Sequence, residues 1–188
     1  MYPVPMFNIY IDADSLPKPH RAIVLKRIVK ESIYIGECVF ASDRELADVR
    51  DVREAHTASL RLPYKDKLDK SELRKIKTNI SMVVVPVGAN SADNYLVENS
   101  KNPGFAITHD VPLSNRLVEK GIVVLDDRGK VYTKENIRER LSERNFMTSL
   151  REMGFESDKT KAFDQRTINE FSSSFDSLFN KYIKEYCS

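Results

Sequence analysis

Phe7-Asn8-Ile9-Tyr10-Ile11-Asp12-Ala13-Asp14 is the stretch on which the fold turns. Its apolar-rich alternation reads as a buried strand, and two aspartates follow directly. The same pattern recurs downstream. Ser32 to Phe40 reads as a second strand, and residues 82–87 as a third whose β-branched run suits a strand covered on both faces. Residues 105–108 and 122–125 read as a fourth and a fifth. Helical patterns lie between them. After a loop punctuated by Pro17 and Pro19, the residues Ala22, Leu25, Ile28 and Val29 give one apolar face. Asp93 to Glu98 fits a short helix, and Leu113 to Lys120 fits another that stops at Gly121. Strands alternating with helices predict an α/β fold with a parallel sheet between two helical layers.

Two more helices are expected beyond the fifth strand. Thr133 reads as an N-cap, Glu135 complements the dipole of the first turn, and Gly154 supplies the stop. After a polar stretch, Glu156 to Lys161, the positions Ile168, Phe171, Phe175, Leu178, Phe179, Tyr182 and Ile183 form one apolar face, which reads as core packing. Asp43 to Ile80 is the least legible region: two helices or a mobile excursion, too long for a plain connection. The expected organisation is one domain over residues 1–154, with 43–80 as an insert, and a helical extension over 155–188 packed on it.

Composition narrows the function classes. The chain has 188 residues, enough for one sizeable core, and its net charge of +2 does not mark the whole molecule as a polyanion binder. The charge is unevenly placed, however. Between Arg61 and Lys77 seven basic residues stand against three acidic ones, a surplus that either faces phosphates or is a solvated surface. No apolar run approaches the roughly 20 residues of a membrane span, so no membrane partner and a cytoplasmic location are expected. Cys38 lies in an apolar stretch and reads as a buried thiol; neither it nor Cys187 supports a disulfide framework or a zinc site.

The chemistry is expected from the positions of the aspartates. Asp12 and Asp14 follow the first strand, Asp93 the third, Asp110 the fourth, and Asp126 with Asp127 the fifth. In an open parallel sheet the carboxyl ends of the strands share one edge, where ligands bind. Carboxylates gathered in one crevice repel one another unless some are protonated or a cation joins them. Oxygen-only ligands suit a hard ion such as Mg²⁺ or Mn²⁺, which also contacts phosphates. A lone aspartate after a strand is more often a turn residue or a helix cap, but four strand ends all carrying one favours the metal.

Asp12-Ala13-Asp14-Ser15-Leu16-Pro17, Ala92-Asp93-Asn94 and Ile107-Thr108-His109-Asp110-Val111-Pro112-Leu113 occur in that order. Arg128-Gly129, Tyr132-Thr133, Ile137-Arg138-Glu139-Arg140-Leu141, Arg144-Asn145-Phe146-Met147 and Gln165-Arg166 follow. On these motifs the chain resembles the YaiI/YqxD family of bacterial proteins, which looks like a branch of the PIN-like group. The resemblance implies a three-layer sandwich around a mostly parallel five-stranded sheet, with extra C-terminal helices. It also implies metal-dependent hydrolysis of nucleic acid, RNA above all, and the homodimers such proteins often form. Carried over residue by residue, the catalytic acids are Asp12, Asp14, Asp93 and Asp110, with Asp12, Asp93 and Asp110 as metal ligands. Arg128 and Arg138, with Ser91 and Asn94 flanking Asp93 and His109 beside Asp110, are the expected substrate-binding residues. Two departures stand out: relatives usually carry Asn-Pro at Asp126-Asp127, and often Cys at Leu16.

Other readings of the same residues compete. His20 and His109 can carry protons, though each reads first as a surface or loop residue; His56 is unassigned. A haloacid-dehalogenase-type phosphatase would use Asp12 as nucleophile and Asp14 as acid and base, and would need a hydroxyl and a lysine, for which Thr108 and Lys120 are the nominees. A binding module that keeps the fold without turnover is the third reading.

Overall fold

A computed structural model describes residues 6–86, 88, 91–155 and 164–187. The first strand, β1 (Phe7–Asp12), is followed by α1 (Lys18–Lys30), a 3-10 turn (Ser32–Tyr34), β2 (Ile35–Ser42) and α2 (Ala47–Arg61). A second 3-10 turn (Leu62–Tyr64) and α3 (Lys70–Lys75) lead to β3 (Ile80–Val84) and α4 (Ser91–Asn99). Then come β4 (Gly104–Ile107), α5 (Val111–Glu119), β5 (Val123–Leu125), β6 (Val131–Tyr132), α6 (Ile137–Glu152) and α7 (Gln165–Tyr186).

The strands form one sheet in the order β3-β2-β1-β4-β5-β6. The first five are parallel, as expected from the alternation of elements, and β6 adds a two-residue antiparallel edge through the turn after β5. In this doubly wound order the chain runs outward from β1 to β3, then returns to place β4 on the other side of β1. The connections leaving β1 and β4 therefore diverge, opening a crevice at their carboxyl ends.

Side-chain alternation builds a core on each face of the sheet. Phe7, Ile9 and Ile11 of β1 face one way, onto Val24, Leu25 and Ile28 of α1 and onto Phe171, Phe175 and Phe179 of α7. Tyr10 faces the other way, onto Leu96 of α4 and Leu113 and Leu117 of α5. The result is an α/β three-layer sandwich. α7 covers the part of the first face that α1 and α2 leave open. Phe7 meets Phe179 edge-on at 5.2 Å, Phe105 meets Tyr182 at 5.1 Å, and the Tyr182 hydroxyl donates to the Gly104 carbonyl at 2.9 Å. Gly129, at φ +84°, shows how tightly that helix docks: a Cβ there would stand 2.8 Å from the Glu170 carbonyl oxygen.

Several local expectations change. Pro19 is no loop residue; it sits in the first turn of α1, where its missing N–H has no partner to lose. The second strand begins at Ile35, because Ser32–Tyr34 is a 3-10 turn. The third strand is not covered on both faces. β3 is the sheet edge, its residues after Ile80 are at most half-buried, and Val84 is 52% exposed. Val87 and the polar stretch expected at 156–161 lie outside the described residues. Thr133 does not cap α6, which starts at Ile137; the Thr133 N–H instead donates to Asn136 Oδ1 at 2.9 Å. Residues 43–80 form two helices rather than a mobile excursion, and an Asp69–Glu72 capping box starts the second.

Candidate functional site

Asp12 ends β1, a central strand of the sheet, and is itself only 5% exposed. Its Oδ2 accepts from the Thr108 hydroxyl at 2.6 Å, and its Oδ1 accepts from the Ser15 N–H at 3.4 Å. The first of these bonds crosses the crevice between β1 and β4. Thr108 also accepts from the Asp110 N–H at 3.0 Å, and the Ser15 hydroxyl accepts from the His109 N–H at 3.2 Å. The two diverging loops are thus tied together by a hydroxyl from each.

Asp110 caps α5, its Oδ1 accepting from the Leu113 N–H at 2.6 Å. Asp93 lies in the first turn of α4. Burial pushes the Asp93 carboxyl above the usual range, and the charges of Asp12 and Asp110 push it the same way against the opposing Arg116 guanidinium. That direction is what carboxylates brought together without enough positive charge produce. Asp14 points toward β2: Oδ1 accepts from the Ser42 hydroxyl at 2.6 Å and Oδ2 from the Asp43 N–H at 2.8 Å. Asp12, Asp14 and Asp93 line one cleft of about 220 Å³ together with Asp43, Ser91 and Pro86. A larger hollow of about 570 Å³ lies between α2 and β3, with Glu54 as its one carboxylate, so size and acidic chemistry do not coincide in this molecule.

The other expected residues divide. Ser91 lines the acidic cleft. Asn94 is exposed on α4, where its Oδ1 accepts from Arg116 at 2.8 Å. The Arg128 guanidinium opposes protonation of His109. Arg138 is not part of this group: it borders a depression between α5 and α6 with Asn115 and Glu119. Asp126 turns into its own hairpin, accepting from the N–H groups of Arg128 at 2.9 Å and Lys130 at 2.8 Å and from the Tyr132 hydroxyl at 3.0 Å. With that many donors it holds the β5–β6 turn.

Among the histidines, His20 differs from expectation and His109 does not. His20 is neither a surface nor a loop residue; it is fully buried in α1, against the Phe171 ring at 4.6 Å, and donates from Nε2 to the Asp127 carbonyl at 2.9 Å. Burial lowers its pKa. His56 is buried with its Nδ1 2.8 Å from the Thr78 hydroxyl. His109 is exposed, but its Nδ1 donates to the buried Asp127 carboxylate at 2.8 Å, and this hydrogen bond raises its pKa. Ser15, Ser42 and Arg116 were not singled out by sequence reasoning, while Thr108 was nominated only as a phosphatase hydroxyl and Asp127 only as one of the acids after the fifth strand. The hydroxyls carry no pattern of their own, although Thr108 and Ser15 each lie within three residues of a predicted acid.

A divalent cation fits the chemistry of this donor set, which is carboxylate and hydroxyl oxygen. Among the described residues, no three His, Cys, Asp or Glu side chains stand close enough to hold an ion together. The fit is therefore to an ion that takes one or two carboxylates and keeps several waters, as Mg²⁺ commonly does. No helix among the described residues is long and apolar enough to cross a membrane.

Comparison with known proteins agrees with the motifs. The family model described as "Uncharacterized BCR, YaiI/YqxD family" matches residues 68–181. A UPF0178 protein of Treponema denticola is 33% identical over 178 residues, covering 95% of each chain. One of Citrifermentans bemidjiense is 34% identical over 181 residues, covering 96% of this chain and 99% of the relative. One of Syntrophobacter fumaroxidans reaches 43% over 105 residues, 56% of this chain and 69% of the relative. With its motifs, its fold and near full-length relatives in agreement, the chain belongs to the YaiI/YqxD family.

Proposed function

We propose that the protein is a metal-dependent nuclease that hydrolyses phosphodiester bonds of nucleic acid, with RNA as the favoured substrate. One arrangement supports the reading: Asp12 and Asp93 line one cleft, and the Asp93 carboxyl is pushed up by burial and by the charges of Asp12 and Asp110. A site that concentrates negative charge in this way is matched to a cation.

In this reading Asp12, Asp93 and Asp110 supply the oxygens that hold Mg²⁺ or Mn²⁺, directly or through water. When bound, the ion would polarise a phosphoryl oxygen and make a water more acidic. The Thr108 hydroxyl fixes the rotamer of Asp12, and Ser42 fixes that of Asp14, whose carboxylate borders the same cleft and orients the attacking water. Arg128 and His109, in the loops after β5 and β4, would act as the cationic donors that grip phosphate oxygens. Ser91 offers a further hydroxyl at the mouth of the cleft.

The phosphatase reading loses its lysine: Lys120 donates from Nζ to the Glu98 carbonyl at 3.1 Å and also to that of Val97, at the end of α4. A binding module without turnover is separated from a nuclease by experiment. Calorimetry with Mn²⁺ and Mg²⁺ on the native chain, Asp12→Asn and Asp110→Asn, followed by cleavage of a single-stranded RNA, tests the proposal. Binding and cleavage lost together in both variants support it. Metal binding without cleavage of any nucleic acid favours the module, and no metal binding by the native chain overturns it.

A further inference from the structure

The helix α6 is the least covered long element of the molecule. It packs chiefly on α5, and among its described residues only Ile137, in the first turn, is buried. Exposed large apolar side chains are scattered over the rest of the described surface, but Phe146, Met147, Met153 and Phe155 fall within ten consecutive positions. Their exposures are 63%, 39%, 72% and 60%. Phe146 follows Ile137 by about two and a half turns, which puts it on the opposite side of the helix. Met153 comes two turns after Phe146 and shares that side. Gly154, at φ +88°, ends the helix, and the Phe155 N–H donates back to the Leu150 carbonyl at 3.0 Å, so the chain turns at the end of this face.

Side chains of this size present about 200 Å² each when fully exposed, so the four leave about 500 Å² of apolar surface in water. A patch of that size marks a place of contact. Two such faces brought together remove about 1,000 Å², and a polar rim carries that to the roughly 1,200–2,000 Å² of a specific interface. The charges of α6 point to the partner. Arg138, Arg140, Arg144 and Arg151 stand against Glu139, Glu143 and Glu152, a near balance. A polyanion or an anionic membrane surface calls for one sign; a face of mixed sign is matched by a copy of itself turned end for end. Glu143 and Arg151 are equally spaced about Met147. A two-fold axis there runs the two helices antiparallel and sets Glu143 of each copy level with the partner subunit's Arg151.

We propose that the exposed face of α6 is the interface of a symmetric dimer, its occupant a second copy of this chain. Phe146 and Met147 meet their own counterparts beside the axis, with Met153 and Phe155 nearer the ends. Glu143, which Arg140 of its own chain holds at 3.3 Å, takes the partner subunit's Arg151 as a second cation and fixes the antiparallel register. The residues lining the acidic cleft take no part, so the interface is independent of the chemistry assigned there.

The test is sedimentation velocity of the full chain from low to high micromolar concentration. The native chain should reach twice the 21.6 kDa of one copy. Phe146→Glu and Met153→Glu, both at exposed helical positions, should keep the far-ultraviolet circular dichroism and sediment as one chain. Glu143→Arg and Arg151→Glu should each raise the dimer Kd at least about tenfold, because each sets like charges level across the axis. An equal mixture of these two variants sets opposite charges level again and should recover the dimer, which a variant that had merely lost its fold would not do. A native chain that sediments as one copy throughout overturns the proposal, and so does a dimer that Phe146→Glu leaves intact. A single copy that gains mass only when RNA is added assigns the face to nucleic acid and overturns it as well. Failure of the mixture to recover a dimer overturns the antiparallel pairing.

Discussion

Two groups of carboxylates stand at the same edge of the sheet, and the structure treats them differently. At the end of β5, Asp126 accepts from two backbone N–H groups and a tyrosine hydroxyl, and Asp127 receives the imidazole of His109. At the ends of β1 and β4 and the start of α4, Asp12 has one short hydroxyl contact, while Asp93 feels the charges of Asp12 and Asp110. The first group has used its lone pairs inside the protein. The second keeps an excess of negative charge facing a cleft. Position after a strand therefore does not by itself fix the surroundings of an acid; the supply of local donors does.

The contrast can be broken most sharply at Asp12. Asp12→Asn should lower RNA cleavage by about 10²–10³-fold, the scale for removing an electrostatic stabiliser from an active site. Its melting temperature should not fall, because a repulsive charge is removed; a large loss of stability with cleavage intact would reverse its assignment. Asp126→Ala should do the opposite. It orphans the Tyr132 hydroxyl and two N–H groups, at a cost of about 3 kcal/mol, and lowers Tm by about 6–12 °C. Metal affinity measured by calorimetry should stay the same.

A smaller effect concerns Asp93. Its pKa is raised in the fold, so the favourable contribution is present below the unfolded value, near 3.8, and is lost as pH rises through the folded value. Asp93→Asn should therefore stabilise the metal-free protein at neutral pH, with the gain vanishing in acid, as read from denaturant melts across pH. Saturating Mg²⁺ should stabilise the native chain and leave the variant less changed. The smallest effect is at His109, whose raised pKa reflects the Asp127 hydrogen bond. That stabilisation is fully present below the unfolded pKa of about 6.5 and is lost as pH rises through the folded value. In Asp127→Asn the NMR titration midpoint of His109 should move down, and the stability gap from the native chain should narrow with rising pH.

The elements themselves were largely legible in the sequence. Alternation of apolar residues marks β1, β2, β4 and β5, and a 3.6-residue period marks α7, because strands and helices expose one face at those spacings. The misreadings share a cause. β3 has the β-branched run of a central strand yet lies at the edge, because burial depends on strand order and not on composition. Residues 43–80 are no misreading: of the two alternatives, helices or a mobile excursion, the helices hold, through packing of α2 against α1 and β3.

By itself the sequence determined the α/β class and the family, and it nominated the acids Asp12, Asp14, Asp93 and Asp110, since periodicity and motif order are local properties of the chain. Tertiary structure alone decided which acids face one another. Asp12 meets Thr108, 96 residues away, only because β4 returns to the far side of β1. Asp126 is withdrawn by a hairpin whose donors lie within six residues. Charge coupling and hydrogen bonding fall off over a few ångströms, so the fate of each carboxylate was set by spatial neighbours that its sequence neighbours did not announce.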